Sequence, residues 1–375
     1  MKTVCFLIVP IMNDVHLQLE LKNSFMENII YLDHQKKSIT GGHKYNDAFE
    51  SYLEQYTGIR IDNEPCLSSL YTGFRKLFAP FIELKRLCKM KPGDVIFWGD
   101  TSYKYHILLF LINKLFCRTR NVCIIHHFLW LGNTGFKNWL HKLMMKVYYS
   151  GMDCIIVPSP YTKAVAENTF PNSQIQYIPL PFEKIFMPSD NYEVGNLLYV
   201  GTIEDRKGLK YLLKAIVDFQ KRSDVKLKLN VVGKIVDENY KQKLDSYIKE
   251  NDLQVHFLGR VSDEQLDECY RRAEVFAFPS KLEGYGIVLI EAFQRGLPIV
   301  CFNNSAMPYT IIDEENGYLA KNLDSHDFAM KLMKICNCNE ERIRIQKGIK
   351  KTIDNIKTQS DFEKGIRDFW NSILK

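Results

Sequence analysis

The stretch Pro279-Ser-Lys-Leu-Glu-Gly-Tyr-Gly-Ile-Val-Leu-Ile-Glu-Ala-Phe-Gln-Arg-Gly296 decides which fold the sequence predicts. It follows Val275-Phe-Ala-Phe278, an apolar run with the length and composition of a strand. It holds Gly284 and Gly286, then an apolar run typical of a buried helix, and it ends at a basic residue followed by a stop glycine. We therefore predict a strand, a glycine-containing turn and a helix.

Two carboxylates, Glu283 and Glu291, lie in this stretch with seven residues between them. A helix that begins near Gly286 directs unpaired N–H groups at the turn, where they favour an anion. Because a carboxylate accepts hydrogen bonds from paired hydroxyls, the layout suits a nucleotide-sugar, which has a diphosphate between two hydroxyl-rich rings. Two glutamates at this spacing are, by themselves, more often solvated charges.

The flanking residues favour a nucleotide-sugar site over a pair of solvated charges. They include Phe278-Pro279-Ser280 before the pair and Gly296-Leu297-Pro298 after it. The whole pattern resembles the glutamate–seven residues–glutamate motif of retaining glycosyltransferases with the GT-B fold, especially glycosyltransferase family 4 (glycosyl transferases group 1). The resemblance implies that Glu283 contacts the donor sugar and Glu291 the nucleotide ribose. It also implies further donor-binding residues on the turn, namely Gly284, Tyr285, Gly286 and Ile287.

Composition bounds the class of protein. The chain has 375 residues, 46% apolar and 25% charged, which suggests about two soluble globular domains. The net charge of +6 lies entirely in residues 1–182. This asymmetry indicates either an ordinary basic surface or contact with something anionic, such as a membrane surface, a lipid phosphate or an acidic glycan. We predict no nucleic-acid partner.

The ten cysteines are scattered, and several lie inside apolar runs. They are typical of small core residues in a reducing compartment, and Cys336-Asn-Cys338 has no second pair with which to hold a metal. The run Met1-Lys-Thr-Val-Cys-Phe-Leu-Ile-Val-Pro10 resembles a short signal peptide but is better explained as a first buried strand. We expect a cytoplasmic protein without a metal site or a membrane span.

Strand-like and helix-like segments alternate in the first half, as in a parallel sheet covered by helices. The predicted strands lie near 3–9, 94–98, 121–126, 153–157 and 175–178. The predicted helices lie near 44–56, 68–90, 102–116, 135–149 and 161–168. Residues 13–40 are polar and without clean periodicity, and we interpret them as an insertion after the first strand.

Two polar features of this half are candidates for ligand contact. Gly41 and Gly42 precede a predicted helix, where they either bring N–H groups to a phosphate or only form a turn. His126 and His127 end a predicted strand, where α/β folds hold ligands, although a histidine pair is often structural. The resemblance implies donor contacts for both glycines and for one histidine, and we favour His127 as a catalytic residue.

The helix predicted over 135–149 carries an apolar stripe beside lysines. The stripe consists of Phe136, Trp139, Leu140, Leu143, Met144 and Val147, and the lysines off it are Lys137, Lys142 and Lys146. The pattern fits a helix that rests on a membrane. It fits equally a helix whose stripe covers the sheet and whose basic face is solvated, and we favour this second interpretation.

A proline-rich stretch, Pro179-Leu-Pro181 to Pro188-Ser-Asp190, is the predicted linker. A second doubly wound domain follows it. Its predicted strands lie near 196–200, 226–232, 254–258, 275–278 and 298–302. The first of its predicted helices ends near 220, and the others lie near 238–250, 263–272 and 286–295.

The loop Gly201-Thr-Ile-Glu-Asp-Arg-Lys-Gly208 joins the first strand of this domain to its first helix. Arg206 and Lys207 in it are either a solvated basic pair or the cations that neutralise a diphosphate leaving group. The loop resembles the phosphate-binding loop of the family, which implies that both cations act in catalysis and that Gly201 and Thr202 bind the donor. Thr202 stands where many members carry arginine, and Arg206 could supply that charge.

The sequence thus predicts an α/β protein with two Rossmann-like doubly wound domains facing a cleft, the GT-B fold. Residues 1–182 would bind a glycan or lipid-linked acceptor, residues 183–358 the nucleotide-diphosphate sugar, and residues 359–375 would form a helix returning to the first domain. The resemblance implies a retaining glycosyltransferase of hexosyltransferase type. The general type of sequence suggests a role in cell-envelope polysaccharide assembly, and the basic first half would allow peripheral contact with the inner face of the membrane. The enzyme would need no cofactor, and no metal, because the chain has no Asp-x-Asp pair. The alternatives are a non-catalytic nucleotide-sugar-binding subunit, a nucleotide-sugar epimerase or a glycan phosphorylase.

Overall fold

The structure is a computed structural model in which the chain forms two compact units. One unit comprises Met1–Leu180 with Gln359–Lys375, and the other comprises Pro181–Thr358. The described residues are 28–32, 41–64, 90–99, 103–116, 119–128, 136–336 and 338–374. The strand predicted over 3–9 lies outside them, and so does the helix predicted over 68–90 except for its last residue.

The described part of the first unit contains six parallel strands in the order β2-β1-β3-β4-β5-β6. They are β1 (Ile29–Leu32), β2 (Ile61–Glu64), β3 (Val95–Trp98), β4 (Arg120–Ile124), β5 (Cys154–Val157) and β6 (Gln174–Tyr177). All residues of β3 and β5 are buried. A parallel strand covered on both faces needs such a continuous apolar run, and this is why the sequence predicts these two well.

Four helices connect these strands in the described part of the unit. They are α1 (Gly41–Thr57), α2 (Tyr103–Phe116), α3 (Phe136–Ser150) and α4 (Pro160–Thr169). The last of them begins with a proline behind Ser159, whose side chain accepts a hydrogen bond from Thr162 N. Proline at the first turn and serine before it are favourable because the first N–H groups of a helix have no partner inside it.

The interpretation of residues 13–40 as an insertion is wrong for Ile29–Leu32. This segment is β1, which is buried along its whole length between β2 and β3. Ile29 is in register with Ile61 on one side and Val95 on the other. Four apolar residues between polar segments give no clear periodicity, and their burial depends on strands that lie far away in the sequence.

The face that α3 turns to the core also differs from the prediction. Among the side chains of α3 that the structure describes, Met145, Tyr148 and Tyr149 are buried, whereas Trp139 and Leu143 of the predicted stripe are 57% and 45% exposed. The helix does cover the sheet, but the described residues of the stripe that we expected to be buried lie largely on the surface. A helix with apolar residues on two faces does not reveal from its sequence which face is the inner one.

The second unit contains another six-stranded parallel sheet, in the order β12-β11-β10-β7-β8-β9. Its strands are β7 (Asn196–Val200), β8 (Lys228–Val232), β9 (Gln254–Gly259), β10 (Val275–Phe278), β11 (Ile299–Phe302) and β12 (Tyr318–Ala320). The chain runs outward from β7 to β9 and then returns to place β10 on the other side of β7. The strand order therefore reverses between β7 and β10, the place where such sheets hold ligands at their carboxyl ends.

Six helices cover this sheet. They are α5 (Leu209–Gln220), α6 (Glu238–Glu250), α7 (Asp263–Arg272), α8 (Ile287–Gln294), α9 (Ser325–Ile335) and α10 (Asn339–Asp354), and a short 3₁₀ turn, Asp205–Lys207, precedes α5. Side chains cap several of them: Ser262 and Gln265 form a capping box on α7, and Asp237 caps α6. Strand β12 and helices α9 and α10 are absent from the predicted set.

The last helix, α11 (Gln359–Ile373), belongs to the first unit. Its Phe362 ring lies 5.5 Å from that of Tyr45, and its Gly365 allows the helix to approach Ile178 closely. The predicted α/β class with two doubly wound sheets is confirmed. Among the described residues, no helix has both the length and the apolarity that crossing a bilayer requires.

Candidate functional site

Two loops meet where the strand order reverses. One follows β7 and ends at Gly208, and the other follows β10. Lys281 N donates to Arg206 O at 3.0 Å, and Arg206 Nη1 donates to Leu282 O at 2.9 Å. Gly208 has φ +73°, and a Cβ atom on it would overlap the carbonyl oxygen of Pro279. The two loops are therefore locked together through backbone that only glycine allows at this point.

Glu283 is the charged centre of this contact. Its side chain is 12% exposed, and Oε1 forms an ion pair with Lys207 Nζ and accepts a hydrogen bond from Ser280 Oγ at 2.7 Å. Arg206 Nη1 lies 3.8 Å from the same oxygen. Burial would raise the pKa of Glu283, but Lys207 and Arg206 outweigh burial and hold that pKa below its ordinary value. The carboxylate is therefore ionised at neutral pH.

A third loop, after β11, fixes the backbone of Glu283. Its N–H donates to Ser305 Oγ at 3.0 Å, and Ser305 Oγ donates to Asn304 Oδ1 at 2.9 Å. Asn304 Nδ2 in turn donates to Ser280 O at 3.2 Å. Asn304 and Ser305 are not among the predicted site residues, although a polar Asn-Ser pair soon after a buried strand at the same sheet edge indicates such a position.

The loop after β7 places Thr202 close to the cations. Thr202 Oγ1 donates to Glu204 Oε1 at 2.7 Å, and the same oxygen accepts from Arg206 Nη2 at 2.9 Å. Gly201 N donates to Val232 O at 2.9 Å, which ties this loop to the end of β8. The structure thus brings Gly201, Thr202, Arg206 and Lys207 to one edge of one sheet.

The turn after Glu283 leads into α8. Gly284 and Tyr285 lie on this turn, and the Tyr285 ring packs 5.5 Å from that of Phe182. Gly286 has φ +84° and immediately precedes Ile287, the first residue of the helix. The N–H groups of the first turn of α8 thus lie at the carboxyl edge of the sheet, where they favour an anion.

Glu291 lies on the second turn of α8, and a buried tyrosine binds its carboxylate. The hydroxyl of Tyr270 donates to Glu291 Oε2 at 3.0 Å. Burial, and then the charge of Glu291, raise the pKa of Tyr270 well above 10, so this hydroxyl remains a donor. Arg295 stacks over the Tyr270 ring at 5.3 Å and donates to Glu291 O at 3.2 Å. Nothing in the sequence pattern of α7 indicates that Tyr270 reaches Glu291.

The predicted residues of the first unit lie at the carboxyl end of β4. Gly41 and Gly42 form the first turn of α1, and a Cβ atom on Gly42 would lie 3.2 Å from the ring of His126. His126 Nε2 is hydrogen-bonded to Asn46 Oδ1 at 2.9 Å. His127 is exposed. Gly42 and the ring of His126 therefore lie close together, and His127 is exposed on the surface next to His126.

Among the described residues, no three histidine, cysteine, aspartate or glutamate side chains are placed to hold a metal ion together. Arg206 and Lys207 place cationic atoms beside Glu283 at the switch point of the second unit.

Two doubly wound parallel sheets, with carboxylates and cations at the switch point of the second, characterise the GT-B fold of glycosyltransferases. Residues 188–352, somewhat less than half of the chain, match the family described as "Glycosyl transferases group 1".

Three comparisons with known proteins agree with this match. The chain is 28% identical over 300 residues to an uncharacterized glycosyltransferase of Methanocaldococcus jannaschii, a match of 78% of this chain and 80% of that protein. It is 25% identical over 335 residues to a Campylobacter jejuni alpha-1,4-N-acetyl-D-galactosaminyltransferase that acts on a PP-undecaprenol-linked glycan, with 88% and 85% of the two chains matched. Among solved structures, Anabaena HepE in complex with UDP and glucose has a TM-score of 0.70 at 14% identity, over 92% of this chain and all of that one.

Proposed function

We propose that the protein is a retaining glycosyltransferase of hexosyltransferase type. The second unit would hold a nucleotide-diphosphate sugar, and the first would hold a glycan or lipid-linked acceptor in cell-envelope polysaccharide assembly at the cytoplasmic face of the membrane. The observation that carries the proposal is the cluster of Lys207, Arg206 and the ionised Glu283 beside the N-terminus of α8.

Lys207 and Arg206 would act on the diphosphate leaving group. When the bond between the sugar C1 and the phosphate oxygen breaks, the electron pair stays on the diphosphate. Lys207, Arg206 and the first N–H groups of α8 would stabilise that charge as it develops, the type of interaction that usually dominates catalysis. The acceptor hydroxyl would form the new bond on the same face of the sugar and lose its proton to a donor phosphate oxygen. Neither a protein nucleophile nor a metal ion is needed in this scheme.

The two glutamates would orient the donor. Glu283 is ionised and held by Ser280 and Lys207, so it can accept hydrogen bonds from sugar hydroxyls. Glu291, oriented by Tyr270, can accept from ribose hydroxyls. Two similar proteins support these ligand classes, since HepE was solved with UDP and glucose and the Campylobacter enzyme acts on a lipid-linked glycan.

The first experiment measures thermal stability with UDP-, GDP-, ADP- and CMP-sugars. A ligand that binds only the folded state stabilises it by about 2.7 kcal/mol at a hundredfold excess over its dissociation constant. We expect stabilisation by one nucleotide class, lost in Glu291→Ala and retained in the control Glu250→Ala, which changes an exposed glutamate on α6. Stabilisation by none of the donors would contradict the proposal.

Turnover then separates the alternatives. A non-catalytic subunit would bind the donor without consuming it, and an epimerase would convert it without an acceptor. The proposed transferase should release the nucleoside diphosphate faster when an acceptor is present. It should retain this activity in EDTA, because Lys207 and Arg206 take the place of a metal beside the diphosphate. Loss of activity in EDTA would contradict the metal-free scheme while leaving the donor site in place.

A further inference from the structure

Among the side chains that the structure describes on helices α2 and α3, five large apolar ones are exposed. Trp139, Leu143 and Val147 on α3 are 57%, 45% and 43% exposed, and Leu111 and Leu115 on α2 are 39% and 73% exposed. Single exposed apolar residues are normal, but a group of them marks an interaction surface. We name these five residues the apolar face.

The apolar face is continuous because the two helices are direct neighbours. Lys114 Nζ on α2 donates to Gly151 O, just after α3, at 2.6 Å. A Cβ atom on Gly151 would lie 2.5 Å from the Phe110 ring, so glycine is needed for this close packing. The helices join β3 to β4 and β4 to β5, which are adjacent parallel strands, and right-handed crossovers place both on the same side of the sheet. Residues four apart share one face of each helix.

The charged side chains of the two helices have one sign. Helices α2 and α3 contain five lysines and neither aspartate nor glutamate. Lys114, Lys142 and Lys146 among them are exposed, next to the apolar residues in sequence. The whole net charge of the protein, +6, lies in residues 1–182. Protein–protein interfaces are depleted in lysine, whereas an anionic bilayer attracts it, so the composition favours a lipid surface over a protein partner.

We propose that the apolar face docks the protein on an anionic phospholipid bilayer. Trp139, Leu143 and their neighbours enter the boundary between headgroups and acyl chains, where tryptophan is favoured. The lysines bury their aliphatic stems and place their ammonium groups at the lipid phosphates. Docking does not depend on the donor site, and it would bring the first unit to the surface that carries a lipid-linked acceptor, if the proposed function is right.

The test is flotation of the full chain with vesicles of phosphatidylcholine alone or with added phosphatidylglycerol. We expect binding only to the anionic vesicles, and weaker binding as salt rises. Lys142→Gln with Lys146→Gln should reduce partitioning on the order of 30-fold, since each lysine contributes about fivefold near such a surface. Trp139→Ser with Leu143→Ser should abolish it.

Matched controls lie in the second unit. Lys350→Gln with Lys351→Gln removes two exposed lysines, and Met330→Ser with Ile343→Ser removes two exposed apolar side chains. Both pairs should leave vesicle binding unchanged. All the altered side chains are exposed, so thermal stability should stay close to that of the wild type and confirm that each variant is folded.

Depth of insertion gives an independent readout. Lipids brominated on their acyl chains quench a tryptophan that enters the bilayer, and Trp98 and Trp370 are fully buried in the protein core. The chain has four tryptophans, so the measurement uses a Trp130→Phe background, in which Trp139 is the exposed one of the three that remain. Quenching should fall when Trp139→Phe is added to this background, while vesicle binding is largely retained.

Three outcomes would overturn the proposal. They are equal binding to neutral and anionic vesicles, binding that survives both double substitutions, and self-association that the same substitutions abolish, which would make the face a protein interface. Thermal stabilisation by the donor, measured on the same variants, tests the proposed transferase function independently of vesicle binding. This stabilisation should be the same in the variants as in the wild type, because the apolar face shares no residue with the donor site.

Discussion

The hydroxyl of Tyr270 lies 3.0 Å from Glu291 Oε2, and it joins the end of α7 to the helix that follows β10. Tyr270 is fully buried, and Arg295 covers its ring. The tyrosine therefore orients one of the two carboxylates that the sequence predicts to contact the donor, without lying on either loop of the switch point.

We expect Tyr270→Phe to weaken donor binding. The substitution keeps the packed ring and removes only the hydrogen bond, worth about 1 kcal/mol, so Glu291 loses its fixed orientation. The donor KM should rise roughly fivefold, and kcat should change less, because the ribose is remote from the reacting atoms. Steady-state kinetics with varied donor concentration measures both constants.

Tyr318→Phe is the control for this prediction. Tyr318 is a buried tyrosine of the same unit whose hydroxyl donates to Glu341, and it lies on β12 at the edge of the sheet. Its substitution should cost comparable stability and leave the donor KM unchanged. Equal effects of the two substitutions on KM would show that Tyr270 has only a structural role.

The pH dependence of stability should reveal the Lys207–Glu283 pair. Since the folded pKa of Glu283 is lowered, its ionised form stabilises the folded state. This contribution is complete above the ordinary glutamate pKa of 4.5, and it is lost as pH falls through the lower folded value. Lys207→Met should cost about 3 kcal/mol at pH 7, the low end for removing one partner of a buried pair, because Arg206 remains nearby.

Denaturant unfolding between pH 3 and 7 (about the range over which glutamate titrates) measures this effect. In Lys207→Met, the pKa of Glu283 should rise, so the loss of stability on acidification begins at higher pH than in the wild type. Lys281→Met is the control, since it breaks an ion pair with the half-exposed Asp205 and should cost at most about 1 kcal/mol. Parallel pH profiles for wild type and Lys207→Met would rule out the proposed coupling.

Gly208 and Gly259 provide a matched test of the contact between the loops. Their φ values are +73° and +68°, but a Cβ atom would overlap Pro279 O at Gly208 and would meet nothing within 4 Å at Gly259. Gly259→Ala should therefore cost only the backbone strain, about 1 kcal/mol. Gly208→Ala should cost at least about 2 kcal/mol more, because the two loops must separate.

The loss of donor affinity should also be larger for Gly208→Ala than for Gly259→Ala. Separation of the loops moves Arg206 and Lys207 away from Glu283, so Gly208→Ala should lose donor-induced thermal stabilisation and Gly259→Ala should keep it. Equal stability of the two variants would mean that the loops adapt without losing their contact.

The sequence predicts the second unit better than the first for physical reasons. Strands β7 and β10 are buried on both faces, so they appear as unbroken apolar runs, and the glycines mark the turns between strand and helix. By contrast, β1 has only four apolar residues, and α3 has two apolar faces of which packing selects one.

The sequence also predicts some residues of the candidate site and not others. Residues within one loop or one helix turn, such as Glu283 and Gly286, are recognisable by their spacing. The contacts of Tyr270 and Ser305 join elements that only the folded sheet brings together, so no spacing predicts them.

The adjacent histidines of the first unit should have separable roles. His126 is hydrogen-bonded to Asn46 and packs edge-on against Tyr45 at a centroid distance of 5.4 Å, and a Cβ atom on Gly42 would lie 3.2 Å from its ring. His126→Ala should therefore destabilise the protein by about 1–3 kcal/mol, the cost of a lost side chain contact and an unsatisfied amide. His127 is exposed, so His127→Ala should change stability by less than about 0.5 kcal/mol.

The same two substitutions test which histidine contacts the donor sugar. If His127 makes this contact, as we predict, His127→Ala should lower turnover with little change in unfolding. Reduced turnover in His126→Ala but not in His127→Ala would show that His126 makes the contact and that our prediction is wrong. Unfolding and initial rates measured on both variants decide between these outcomes.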